Sequence, residues 1–270
     1  MSPRFPQELF DHIIDYAPHG CILRTYSLVC RRWSIQSRSH LFRDITFRKP
    51  GSLDRWCKVI APTIDGPSRH VKDLHIHSPS IPLAFEPQPL DPYLDHFSAF
   101  TRVVNLTLAH HQGKVHLDML LQCFSASKNS LKCMKLSNSS FGFEETSRIA
   151  EFFPNLEVLD VWEATSSTPA QAVSLQPPRE ASFPRLKALY LYMLRYNLEL
   201  DYNLLSGFAQ ASMNLQLLSV GGGVTNAARV QRMIDSSAQS LDDIRIPMLG
   251  GSRLQRHMHT VLIFFTARRT

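Results

Sequence analysis

Seven stretches of this chain can be laid over one another, and that self-similarity constrains the fold more than any other feature. They read VKDLHIH from Val71, VVNLTLA from Val103, LKCMKLS from Leu131, LEVLDVW from Leu156, LKALYLY from Leu186, LQLLSVG from Leu215 and LDDIRIP from Leu241. Each has an aliphatic residue at its first, fourth and sixth positions, always Val, Ile, Leu or Met. Successive starts lie 32, 28, 25, 30, 29 and 26 residues apart. One such triplet is an ordinary buried strand; seven at an even period are a repeat.

Positions four and six alternate with polar neighbours, as in a strand whose side chains point to opposite faces. The intervals are long enough for a loop, a helix and a return. Apolar residues recur at helical spacing in several of them: Tyr93, Leu94, Phe97 and Phe100; Leu117, Leu120, Leu121 and Phe124; Leu204, Leu205 and Phe208; Val230, Met233 and Ile234. Strand then helix at a constant period demands parallel strands with helices on one side. The expected fold is therefore an α/β solenoid of about seven irregular repeats. It resembles the leucine-rich-repeat family, L-x-x-L-x-L, over roughly residues 70–250, without the asparagine or cysteine usual further along. Residues 166–182, rich in Pro, Ser and Ala, read as a loop insertion.

In such a stack, positions three, five and seven face the open concave side. The fifth positions line up as His75, Thr107, Lys135, Asp160, Tyr190, Ser219 and Arg245, and the seventh as His77, Ala109, Ser137, Trp162, Tyr192, Gly221 and Pro247. Lys135 and Asp160 become neighbours of opposite sign, and Trp162, Tyr190 and Tyr192 an aromatic patch. Exposed aromatics of this kind anchor interfaces, so these five residues are the candidate substrate-binding set. Burial of the patch under the 166–182 insertion is the competing expectation.

Residues 1–48 do not share the repeat. Pro6 precedes an amphipathic run, Leu9, Ile13 and Tyr16 with Phe10 and Ile14 beside them, and Pro18 with Gly20 closes it. A second short helix holds Ile22, Leu23 and Tyr26, and a third runs from near Cys30 through Trp33 to Leu41 and Phe42. A unit this small gains from a partner that covers its exposed apolar surface. The expected organisation is a three-helix head at 1–48, a repeat body at 49–252 and a tail or capping helix at 253–270.

FPQELFDHIID, LRTYSLVCRRW and SRSHLFRDITF, together spanning residues 5–47, resemble the F-box motif, particularly the version common at the start of fungal F-box proteins. The resemblance implies docking on an acidic Skp-family adaptor. That adaptor links the chain to a cullin scaffold and a ubiquitin-conjugating enzyme, while the downstream domain captures a protein substrate. It places Pro6, Leu9, Ile13, Leu28, Val29 and Cys30 on or behind the adaptor-facing surface, with Arg31 and Arg32 at a charged rim that favours encounter with an acidic partner. Trp33 anchors the third helix within the small core. Filling of that core by Leu28 and Val29 themselves is the plainer alternative.

The formal charge of +6 also raises nucleic acid as a partner. Residues 1–60 carry ten Lys/Arg against five Asp/Glu, and residues 61–270 nineteen against eighteen. The excess thus sits on the head, whose arginines are not interleaved with stacking aromatics, and nucleic-acid binding ranks last. An F-box-like scaffold working outside a ligase ranks between. Five cysteines without a C-x-x-C pair argue for a reducing compartment, cytoplasm or nucleus. No stretch approaches a membrane span. No P-loop, G-x-S-x-G or H-E-x-x-H pattern is present, and the glycines at 221–223 form a turn, not a phosphate cradle. His75 with His77, and His110, His111 and His116, lack a further metal ligand, and Cys30 reads as a packed thiol. No catalysis, cofactor or metal is expected of this chain.

Overall fold

The computed structural model describes residues 6–17, 20–48, 52–56, 58, 66–77, 97–109, 117–137, 143–162, 182–193, 198–222 and 227–245. The chain is mixed α/β, built on an open parallel sheet. It begins with helices α1 (Gln7–Asp15), α2 (Gly20–Tyr26) and α3 (Arg31–Leu41). Pro6 occupies the cap position just before α1. Gly20 opens α2 instead of closing α1, which ends at Asp15 with Tyr16 as its cap; Pro18 lies outside the described residues.

The core of this head is small. Ile14 and Leu23 are its buried aliphatics, and Trp33 packs between Phe10 (ring centroids 5.5 Å apart) and the edge of Tyr26 (4.9 Å). A polar clamp adds to it. Asp15 Oδ1 accepts from Gln36 Nε2 at 2.8 Å and meets His40 Nε2 at 2.7 Å, tying α1 to α3. These bonds, Gln36 first and then His40, hold the Asp15 carboxyl below its ordinary range.

Eight strands follow in one sheet: β1 (Asp44–Phe47), β2 (Asp73–His77), β3 (Asn105–Ala109), β4 (Cys133–Ser137), β5 (Val158–Trp162), β7 (Ala188–Met193), β9 (Leu217–Gly222) and β10 (Asp243–Arg245). Their spatial order is their chain order, and every described pairing is parallel. The short strands β6 (Ser182–Phe183) and β8 (Ser212–Met213) pair separately, so the last residue of the proline-rich insertion is strand. The rest of that insertion, residues 166–181, the preceding residues 163–165, and residues 246–270, with Pro247 and the expected tail, lie outside the described residues, as do Tyr93, Leu94, His110, His111 and His116.

Helices α4 (Ser52–Arg55), α5 (Leu117–Cys123), α6 (Phe143–Phe152), α7 (Leu198–Gln210) and α8 (Ala227–Ser236) occupy the intervals. One continuous core joins the fourth and sixth strand positions, such as Leu74, Ile76, Leu189 and Leu191, to helical and loop residues such as Phe97, Phe124, Leu204, Phe208 and Met233. The first positions are buried too, apart from the half-buried Leu241: Val71, Val103, Leu131 and Leu215 are fully inaccessible.

Each repeat joins the next through one carbonyl. The oxygen at the second position accepts from two successive amides of the following repeat: Lys72 from Val104 and Asn105, Val104 from Lys132 and Cys133, Lys132 from Glu157 and Val158. Glu157, Lys187 and Gln216 continue the series, all at 2.7–3.0 Å. Arg43 starts it, receiving Lys72 and Asp73 at 2.8 and 2.9 Å. This backbone ladder satisfies the amides at the entry to each strand. It also makes β1 an eighth member of the sheet, which the aliphatic pattern had not shown. Phe42 and Phe47 of this first member stack edge-on against Trp56, each at 5.9 Å, so the head runs without a break into the sheet.

Candidate functional site

Two surfaces stand out. The first is apolar and lies on the head. Leu9, Ile13 and Tyr16, spaced along one flank of α1, are 49%, 48% and 83% exposed, and Leu28 and Val29, in the turn between α2 and α3, are 84% and 60% exposed. The turn backbone is fixed by Ser27 N donating to Leu23 O (2.9 Å), Leu28 N to Thr25 O (3.0 Å) and Val29 N to Tyr26 O (3.1 Å). Its aliphatic side chains are therefore held outward by a rigid loop. They do not fill the head's core, which excludes the plainer expectation for them. Pro6, Arg31 and Arg32 are exposed on the same small unit. Cys30 is exposed too, against the expectation of a packed thiol: it occupies the cap position of α3, in extended backbone at the end of the turn.

Cys123, buried in α5, and Cys133, half-buried in β4, behave differently. Desolvation pushes the Cys123 thiol up to about 12, and burial raises Cys133 as well. Both stay protonated and unreactive near neutral pH.

The second surface is the sheet face opposite the helices. The in-register pairs run His75, Thr107, Lys135, Asp160, Tyr190, Ser219, Arg245, and one row further Trp162 stands beside Tyr192 and Tyr192 beside Gly221. Lys135 Nζ lies 3.1 Å from Asp160 Oδ2 and 4.7 Å from the centre of the Trp162 ring. Trp162 stacks on Tyr192 with centroids 4.1 Å apart and planes 28° apart. The Tyr192 hydroxyl then reaches Ser219 Oγ at 3.0 Å. Ser219 and Gly221 are both buried, so Tyr192 leans across β9, whose small residues leave it room. The result is a stack of Lys135, Trp162 and Tyr192 laid across three strands and tied to Ser219 on a fourth, with Trp162 still 36% exposed. Tyr190 is half-buried in the neighbouring row, next to Asp160. His75 Nε2 lies 3.7 Å from Asp44 Oδ1. Among the described residues no group of three or more His, Cys, Asp or Glu is placed to hold a metal ion, and no helix is long and apolar enough to cross a membrane.

Asp160 shows the electrostatic character of this face. Burial pushes its carboxyl above the ordinary carboxylate range, and hydrogen bonds from Lys135 and Trp162 pull the other way without cancelling the rise. A carboxyl raised in the folded state supports folding fully below its unfolded value, about 3.9, and loses that contribution as pH climbs through the folded value. Asp160→Asn is fixed in the neutral form. It should melt above the parent at neutral pH, with the gap closing as pH falls towards 4. Thermal unfolding of both proteins across that range is the check, and a gap independent of pH would contradict the assignment.

No protein-family model matches the chain, and no curated protein matches it.

Proposed function

We propose that this chain is the substrate-recognition subunit of a Skp–cullin–F-box ubiquitin ligase. The head docks on the Skp-family adaptor, the repeats form a leucine-rich-repeat-like solenoid that captures a protein substrate, and ubiquitin transfer belongs to the bound subunits. The observation that carries this reading is the outward aliphatic turn. A head with only Ile14 and Leu23 as buried aliphatics among its described residues nevertheless exposes Leu9, Ile13, Leu28 and Val29, and a chain does this at a surface meant to be covered.

Arg31 and Arg32 at the rim of that surface suit an acidic adaptor, mainly through the rate of encounter. The body supports the second half of the reading. Parallel strands stacked in chain order present a long open face on one side, with its aromatic centre at Trp162 and Tyr192.

The test is co-elution of the full chain with a purified Skp-family adaptor, followed by addition of the cullin. Replacing Pro6 and Leu9 together with alanine should abolish co-elution and leave thermal unfolding unchanged. In the wild-type complex, Cys30 should become resistant to alkylation while Cys21, also exposed in the free chain, serves as the internal reference. Co-elution that survives the double replacement would overturn the assignment of the head. Adaptor binding without cullin association would redirect the function to a scaffold outside the ligase.

A further inference from the structure

The geometry points to a specific ligand chemistry on the open face: an unmodified peptide segment that seats a neutral aliphatic or aromatic side chain on Trp162, with no phosphate involved in its capture. This rests on the reading of the repeats as the substrate-capturing surface, and narrows it.

Trp162 is the anchor because of its isolation. Among the described residues, every other exposed large hydrophobic belongs to the head: Leu9, Ile13, Tyr16, Leu28, Val29 and Ile35. Every other large apolar side chain described on the sheet is buried or half-buried. Trp162 is also held in place before any ligand arrives, with the Lys135 ammonium on its ring at 4.7 Å, Tyr192 stacked at 4.1 Å, and Tyr192 itself tied to Ser219. A side chain ordered in advance loses little conformational freedom on binding.

Among the described residues, the cations on the strands around the anchor are already paired. Across β4, β5, β7, β9 and β10 the cations are Lys135 and Arg245. Lys135 is paired with Asp160 at 3.1 Å, and Arg245 with Asp243 at 2.7 Å. A phosphate or carboxylate would have to take one of these cations from its partner and then face the released carboxylate at close range. A cationic ligand would have to expel Lys135 from between Asp160 and the indole. A neutral apolar side chain displaces neither. Recognition of phosphorylated or acidic segments relies on clusters of free arginines, and the strands around Trp162 offer none.

The test uses an array of short random peptides, each printed unmodified and with one phosphoserine, probed with the full chain. Retained peptides should share an aliphatic or aromatic residue, and phosphorylation should not strengthen them. Affinity for the strongest unmodified peptide should change less than about threefold between roughly 50 and 500 mM salt, where exposed charge pairs are progressively screened. Trp162→Ala should weaken that peptide about 30-fold, the loss expected of a central aromatic anchor. Lys135→Met combined with Asp160→Asn removes both charges and keeps the stem over the ring, so it should lose no more than about fivefold, as for a pair that props the indole.

Preference for phosphorylated, acidic or basic peptides, a steep salt dependence, full retention by Trp162→Ala, or no retained peptide would each overturn the inference. Adaptor co-elution from the same preparation keeps the two readings separate. Neutral peptides retained through Trp162 without adaptor binding leave this inference standing and remove the ligase, whereas adaptor binding with phosphopeptide preference does the reverse.

Discussion

Phe208→Ala is expected to lower the free energy of unfolding by about 3–5 kcal/mol, the range for truncating a fully buried aromatic whose surroundings cannot close the gap. Phe208 is completely inaccessible on the inner side of α7. Its ring meets the Phe143 ring nearly at right angles, centroids 5.2 Å apart, and the Phe183 ring at 5.5 Å. Those partners come from α6 and β6, so this one side chain bridges three elements. The site is also tight: a methyl group added at Gly207 would overlap the Phe143 ring, which leaves the helix little freedom to settle into a cavity. Phe208→Leu keeps most of the apolar bulk and should lose chiefly the ring-to-ring preference, about 0.5–1.5 kcal/mol. Denaturant unfolding of the three proteins decides the matter. A loss under about 1 kcal/mol for the alanine variant would mean that the site collapses, and that the aromatic cluster is not a unit of the core.

The same aromatic chemistry explains where the sequence was readable and where it was not. Strands β2, β3, β4, β5, β7, β9 and β10 were legible because their inward positions are aliphatic and in-register parallel neighbours share one numbering, whereas the two-residue strands β6 and β8 carry no such pattern. Lys135 could therefore be placed beside Asp160, and Trp162 beside Tyr192, before any coordinates. β1 obeys the same spacing with different residues: Phe42, Ile45 and Phe47 take the first, fourth and sixth positions of FRDITF, and a pattern restricted to aliphatics passes over them.

Helix α6 was hidden for a similar reason. Two of its inward positions are Thr146, fully buried, and Ser147, 9% exposed, so small polar groups interrupt its apolar stripe. The bond from Tyr192 to Ser219 runs diagonally between rows, and a ladder of residues directly opposite one another cannot show it. A recurrent signal was available at the returns to the strands. Phe100, Phe153 and Phe183 each sit three residues before a first-position aliphatic, and all are buried. On the head the limit was geometric. Sequence put Leu28, Val29 and Cys30 together, but only the hydrogen bonds of the turn decide that all three face outward.

That outward turn gives the largest expected effect on binding. Replacing Leu28 and Val29 with aspartate should reduce adaptor affinity at least about 100-fold. Each aliphatic side chain, fully covered on docking, contributes about 1.5–3 kcal/mol through the apolar area removed from water. Losing both amounts to roughly 3–6 kcal/mol, or about 10² to 10⁴ in affinity at 1.4 kcal/mol per tenfold. Aspartate adds two further penalties, desolvation of a carboxylate in an apolar contact and repulsion from an acidic adaptor.

The fold should not notice. At 84% and 60% exposure the two side chains support nothing beneath them, and surface changes of this kind normally stay within about 0.5 kcal/mol. Their backbone amides, which do hold the turn, are retained. Titration of the variant against the purified adaptor, alongside its thermal unfolding, separates the two readouts. Affinity lost with unfolding unchanged locates the docking face at this turn. Affinity kept within about threefold, less than burying one such side chain contributes, would show that these two exposed aliphatics face some other partner. The ligase reading would then lose the observation on which it stands.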